Sequence, residues 1–264
     1  MILYMGLGRM GLPMAIHALK AGHDVVGFDP VAERRALLAE AGGAATDDAS
    51  ALYPTASAVV VMVGSENDVS EIVAGENGII ARGQPGTLVL IVSTVSPDLV
   101  ARLGGLARVK GIRVVDAPVC RAEMGAVSGT LLAFLSGDDD DCRDAKAVMQ
   151  PYCADIELVG QRLGAAQIAK TVNNMILWAC AVANEEGMRL AGTWDLDLAA
   201  LRRALVTSSA DNWCLRHWDR IGAMPWSIKD MDIALQTARD AGVALPLAQQ
   251  VGVLVRSSTV LSHA

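Results

Sequence analysis

The amino-acid sequence predicts an α/β fold: a doubly wound, mostly parallel sheet over residues 1–160, followed by an all-helical part over residues 161–264. Three observations carry this expectation. Through the first part, short β-branched runs alternate with helix-like segments, the pattern of strand–helix–strand units. The runs are continuously apolar, as strands covered on both faces are. After Gly160 they give way to Ala-, Leu- and Met-rich segments, and all five tryptophans (Trp178, Trp194, Trp213, Trp218, Trp226) lie there.

The first strand is ILYM, residues 2–5, and GLGRMG follows it directly: Gly6, Gly8 and Gly11, with Leu7, Arg9 and Met10 between them. Pro13 stands where a helix can begin without losing a needed N–H. Strand, glycine turn and helix are the context in which backbone N–H groups approach a pyrophosphate at the positive end of a helix. By itself the motif is weak, since a glycine turn also serves plain helix–sheet packing. The helix ends at Gly22, DVVGF forms the second strand, and Asp29 stands at its end. At that spacing a carboxylate accepts hydrogen bonds from both adenosine ribose hydroxyls and repels a 2'-phosphate, which favours NAD. Arg34 and Arg35 on the next helix keep NADP open. SAVVVMV, TLVLIVS, RVVDA and LLAFLSG are the further strands. Asp138 to Asp141 open a helix, where carboxylates suit the positive end; four contiguous carboxylates cannot all face one metal. From about Ala165 to Ala191 there is no proline and one glycine, so this stretch reads as one helix of roughly 40 Å.

A chain of 264 residues, 52% hydrophobic and 19% charged, has ample material for a buried core. Its net charge of -7, without clustered Lys and Arg, argues against nucleic acid as a partner. The five cysteines are odd in number, widely spaced and lack any CxxC, so neither a disulfide framework nor a zinc site is expected. A reducing cytoplasm fits best. The apolar N-terminus has no basic flank and is interrupted at once by glycine, so it reads as a strand and not as a signal peptide. No uncharged apolar run reaches the ~20 residues needed to span a bilayer.

On the long helix Gln167, Lys170, Asn173 and Asn174 are three or four apart and share one face. In the second turn, burial and the helix dipole would both disfavour the Lys170 ammonium, which suits an amine that exchanges a proton with a substrate oxygen. From this segment alone, a lysine snorkelling to solvent is an equal alternative.

GLGRMGLPMA at 6–15, STVSP at 93–97, DAPV followed by GAVSGTL at 116–131, the segment from Gly160 to Asn174, and KDMDIA at 229–234 occur in the order found in the β-hydroxyacid dehydrogenase family. That family includes 3-hydroxyisobutyrate dehydrogenase and is more distantly related to 6-phosphogluconate dehydrogenase. The resemblance covers nearly the whole chain. It implies a Rossmann-type NAD-binding domain, a helical substrate and dimerisation domain with an active site in the cleft between the two, and a homodimer or homotetramer. It also implies that Lys170 is the catalytic acid/base, with Asn174 holding the substrate or the lysine. Val63, Gly64 and Asp68 match cofactor-contacting positions, Thr94 sits near the nicotinamide, and Lys229 closes over the cofactor.

The family usually reads DAPVSGG, but this chain reads DAPVCRA. Cys120 is a poorer hydrogen-bond donor than serine, and Arg121 and Ala122 fill space that two glycines leave open, so the substrate end of the pocket must differ. Arg121 has two open readings, a bidentate clamp on a carboxylate or phosphate and an outward structural ion pair. Asn212 and Trp213 stand where the family has a substrate-lining Ser-Trp pair. Trp213, His217 and Trp218 are either an aromatic wall of the pocket or ordinary helix-contact residues. The expected activity is an NAD-dependent oxidoreductase that moves a hydride between nicotinamide and a 3-hydroxy acid, or the matching semialdehyde or keto acid. The alternatives are an imine-reductase-like enzyme, which the presence of the lysine disfavours, and a non-catalytic NAD(P)-sensing protein.

Overall fold

The computed structural model describes residues 1–222, 226–258 and 261. The chain divides into two compact units, Met1–Lys170 and Thr171–Ala264, and the division falls inside one long helix.

The first unit alternates strands and helices: β1 (Ile2–Met5), α1 (Gly11–Lys20), β2 (Val25–Phe28), α2 (Ala32–Glu40), β3 (Ala44–Thr46), β4 (Ala58–Val61), α3 (Glu66–Ala74), α4 (Ile79–Arg82), β5 (Leu88–Ile91), α5 (Pro97–Arg108), β6 (Arg113–Asp116), β7 (Val119–Cys120), α6 (Ala122–Ser128), β8 (Leu131–Ser136), α7 (Asp139–Met149) and β9 (Cys153–Gly160). Among the described residues they form a nine-stranded sheet in the order β3-β2-β1-β4-β5-β6-β8-β7, with β9 beside β8. From β3 to β6 every pairing is parallel; β8 runs antiparallel to β6 and β7, and β9 is parallel to β8. The order reverses beside β1, the switch point at which such sheets open a crevice beyond their strand ends.

Two separate cores explain the unbroken apolar runs. Ile2, Tyr4, Val60 and Leu90 pack with Met14 and Ala18 of α1 and Met149 of α7. The alternate residues Leu3, Met5, Val61 and Ile91 pack on the other face with Val69 of α3 and Leu103 of α5. Each side chain of this kind contributes about 1.5–3 kcal/mol when fully buried, so both faces are strongly specified.

Three strands are not among the sequence-based expectations, and all are short or exposed. β3 has three residues and β7 two. β9 carries Asp155 and Glu157, buries little beyond Cys153, and joins through its backbone ladder to β8. The Asp138–Asp141 run behaves as expected: Asp138 is the N-cap of α7 and the next three acids fill its first turn.

The long helix α8 spans Ala165–Gly192. In the second unit it is followed by α9 (Leu198–Leu205), α10 (Trp213–Arg216), α11 (Trp218–Ile221), α12 (Ser227–Asp240) and α13 (Pro246–Ser257). Trp178 of α8 is fully buried, and its indole Nε1 donates to Asp230 Oδ2 of α12 at 3.0 Å. Among the described residues no helix is long and apolar enough to cross a membrane.

Candidate active site

The glycine loop is built for close approach of backbone to backbone. Gly6 has φ +97°, and a Cβ there would lie 2.2 Å from the Met62 carbonyl oxygen; one on Gly11 would lie 2.0 Å from the Gly6 oxygen. At Gly8, by contrast, the nearest atom to such a Cβ would be Arg34 Nη1 at 3.6 Å, so that face of the loop is open. Beside this opening α1 begins, and the positive end of its helix dipole lies at the loop. The loop therefore fits a dinucleotide pyrophosphate. Asp29 is 3% exposed, and its carboxylate accepts from the backbone N–H of Leu7 (2.9 Å) and of Val31 (2.9 Å). Arg34 lies 3.4 Å from the same carboxylate, while Arg35 donates to the Asp29 carbonyl. Arg9, from the middle of the loop, pairs with Glu123 in the first turn of α6 at 2.6 Å.

Next to Glu123 is the unusual turn. Arg121 (φ 83°) and Ala122 (φ 53°) both adopt left-handed backbone without being glycine, a strain of roughly 1–2 kcal/mol per residue. Of the two readings open for Arg121, the guanidinium makes the ion pair: Nη2 meets Asp155 Oδ2 at 2.5 Å, and Nη1 donates to the Thr130 carbonyl at 2.8 Å. Cys120 is buried, and Lys170 Nζ donates to its Sγ at 3.7 Å. The structure thus brings Lys170 against the 120–122 turn.

The helix that carries Lys170 starts on a buried carboxylate. Asp116, at the end of β6, accepts at Oδ2 from the Gly164 N–H (3.1 Å), the Gln167 N–H (3.0 Å) and Ser136 Oγ (3.1 Å), and at Oδ1 from Gln167 Nε2 (2.8 Å). Ser136 Oγ in turn accepts from the Ala166 N–H at 3.0 Å. Burial pushes the Asp116 carboxyl up to about 6, against the pull of these donors.

Other expected positions are placed as follows. Val63 donates its N–H to Ser93 Oγ at 2.8 Å, and Gly64 borders open space. Asp68 is tied into the cap of α3, its Oδ2 accepting from Ser65 Oγ at 2.7 Å. Thr94 is half-buried in the loop after β5. In the second unit Asn174 is buried and accepts from Asn173 Nδ2 at 3.0 Å, and Lys229 is half-buried at the start of α12. The half-buried Trp213 stacks on His217 with ring centroids 4.1 Å apart.

Residues 1–160 match the sequence model of the NAD binding domain of 6-phosphogluconate dehydrogenase, and residues 164–260 match that described as NAD-binding of NADP-dependent 3-hydroxyisobutyrate dehydrogenase. The 3-hydroxyisobutyrate dehydrogenase of Pseudomonas aeruginosa is 31% identical, over 93% of this chain and 88% of its own length. The NAD-dependent L-serine dehydrogenase of the same organism is 32% identical, over 85% of this chain and 74% of its own. The chain belongs to the β-hydroxyacid dehydrogenase family. The solved 3-hydroxyisobutyrate dehydrogenase of Mycobacterium tuberculosis, with L-serine, matches this β-hydroxyacid dehydrogenase at a TM-score of 0.87 and 27% identity, covering 100% of this chain and 94% of that one.

The first unit of this β-hydroxyacid dehydrogenase is thus an NAD(P)-binding domain, and the protein is an NAD(P)-dependent hydroxyacid dehydrogenase. Asp116, Ser136 and Glu123 hold these segments together and are not among the residues that the sequence singles out. A signal for Asp116 was present: an acidic residue directly follows the apolar pair Val114 and Val115 of RVVD, in a strand that the fold buries. Ser136 and Glu123 carry no such signal, because their partners are distant in sequence.

Proposed function

We propose that this dehydrogenase interconverts a 3-hydroxy acid and its semialdehyde or keto acid, with Lys170 as acid/base and NAD as the favoured cofactor. The observation that carries this reading is the Lys170 amine directed at the 120–122 turn, 3.7 Å from Cys120 Sγ, on a helix whose start is pinned by Asp116. Bound NAD(P) supplies the hydride acceptor in oxidation and the donor in reduction. The loop from Gly6 to Gly11 holds the pyrophosphate, and Asp29 receives the ribose hydroxyls. Val63, Gly64, Asp68, Thr94 and Lys229 are the further cofactor contacts in this reading. Lys170 takes the proton of the substrate hydroxyl in oxidation and returns one to the carbonyl oxygen in reduction. Asn174, one helical turn beyond Lys170, positions the substrate together with Cys120, Ala122 and Trp213.

Cys120 and Ala122 make the substrate end of the site bulkier and poorer in donors than a Ser-Gly-Gly turn. Because Arg121 is engaged by Asp155 and Thr130, it contributes its backbone to the turn while its charge is spent elsewhere. The preferred acid therefore differs from the usual small 3-hydroxy acids. The test is to follow NADH absorbance with L-serine, 3-hydroxyisobutyrate and a set of aryl and dicarboxylic 3-hydroxy acids, each repeated with NADP. Lys170→Ala is expected to abolish turnover and to leave NADH affinity within about twofold, as loss of a general acid/base costs about 10²–10⁴ in rate. Full activity in that variant would end the lysine assignment.

A further inference from the structure

Gln167 occupies a position that the reaction as described does not use. It is fully buried, and its amide is committed on every side. Oε1 accepts from the Val95 N–H at 3.1 Å, while Nε2 donates to the Ser93 carbonyl (3.1 Å) and to Asp116 Oδ1 (2.8 Å). Its backbone N–H goes to Asp116 Oδ2. The orientation of the amide is therefore fixed: flipped, it would set an NH2 against the Val95 N–H and an oxygen against both the Ser93 oxygen and the Asp116 carboxylate. Ser93 is itself fastened on the other side by the Val63 N–H. One side chain thus joins the loop that bears Thr94 to the helix turn immediately before Lys170.

We propose that Gln167, oriented by Asp116, is a positioning residue that sets the Lys170 amine at a fixed distance from the Ser93–Val95 loop, and so from the nicotinamide end of a bound dinucleotide. The proposal rests on the assignment of Lys170 as acid/base and of Thr94 to the nicotinamide. Hydride and proton leave the same carbinol group, so two acceptors held by separate segments must be kept in register, and a displacement on the order of 1 Å costs about a hundredfold in rate. A buried, fully bonded amide is a rigid way to keep that register.

The test compares Gln167→Met, Asp116→Asn and the swapped pair Asp116→Asn with Gln167→Glu, alongside Lys170→Ala. Asp116→Asn sets two NH2 groups face to face. In the swapped pair the amide introduced at position 116 donates to the carboxyl introduced at position 167, which still accepts from the Val95 N–H and, kept protonated by burial, donates its O–H to the Ser93 carbonyl. Gln167→Met and Asp116→Asn are each expected to lower kcat at least tenfold on the best 3-hydroxy acid, with KM and the fluorescence-measured NADH Kd within about threefold. The swapped pair is expected to recover kcat several-fold over Asp116→Asn. In the cofactor-free protein, the rate at which an amine-reactive reagent labels Lys170, read by mass spectrometry, is expected to change in both single variants and to return towards wild type in the swap. Unchanged kcat and labelling in Gln167→Met overturn the proposal, as does a swapped pair no better than Asp116→Asn, which is the result of a merely structural role. If Gln167→Met does not fold, the swap against Asp116→Asn decides. Retained activity in Lys170→Ala overturns the acid/base assignment itself, and this proposal with it; loss there with normal Gln167 variants overturns the proposal alone.

Discussion

Asp29 concentrates the cofactor question in one side chain. Its carboxylate already serves the Leu7 and Val31 N–H groups, and the half-exposed Arg34 stands 3.4 Å away. If the carboxylate selects against a 2'-phosphate, then Asp29→Asn, which keeps an acceptor and removes the charge, shifts the ratio of kcat/KM for NAD over NADP by at least about tenfold towards NADP, or about 1.4 kcal/mol. An unchanged ratio would place selectivity elsewhere. Asp29 could be singled out from sequence because its role follows from a fixed spacing after a glycine loop. Asp116 shows its burial in the sequence, as an acid that ends a buried strand, but not its role, because its partners Ser136, Gly164 and Gln167 are remote in sequence and joined only by the fold. Arg121 shows a further limit. Its residue type allows two partners, and only the fold, which sets Asp155 beside it, shows the ion pair.

At the scale of elements, the central strands were legible because burial on both faces leaves an unbroken apolar run. β9 was not, because its residues carry little burial and its ladder to β8 is made by the backbone, which every sequence possesses. The turn between β7 and α6 is the strained element. Ala122 at φ 53° sits where glycine is at ease, so Ala122→Gly removes a steric cost of roughly 1–2 kcal/mol and adds back about 0.5–1 kcal/mol of backbone entropy. A net gain of about 0.5 kcal/mol is expected, read as a higher denaturant midpoint at unchanged slope. A destabilised variant would mean that neighbouring contacts had already absorbed the strain.

For the molecule as a whole, Asp116 links stability to pH. Its carboxyl rises from 3.8 to about 6 in the fold, chiefly through burial, so the protonated form is favoured by folding. The stability it contributes is fully present below about pH 4 and is lost as pH rises through about 6. Between pH 7.5 and pH 5 the wild type should gain about 1 kcal/mol from this group, a gain absent in Asp116→Asn when urea unfolding is compared at the two values. The same scale shows what became of the 120–122 turn. Arg121 and Ala122 carry side chains, yet both hold the left-handed backbone at which glycine is at ease. A pattern search written in letters at that turn passes this enzyme by, while one written in dihedral angles finds it. Other chains with side chains at these two positions are to be sought by the shape of the turn and not by its spelling.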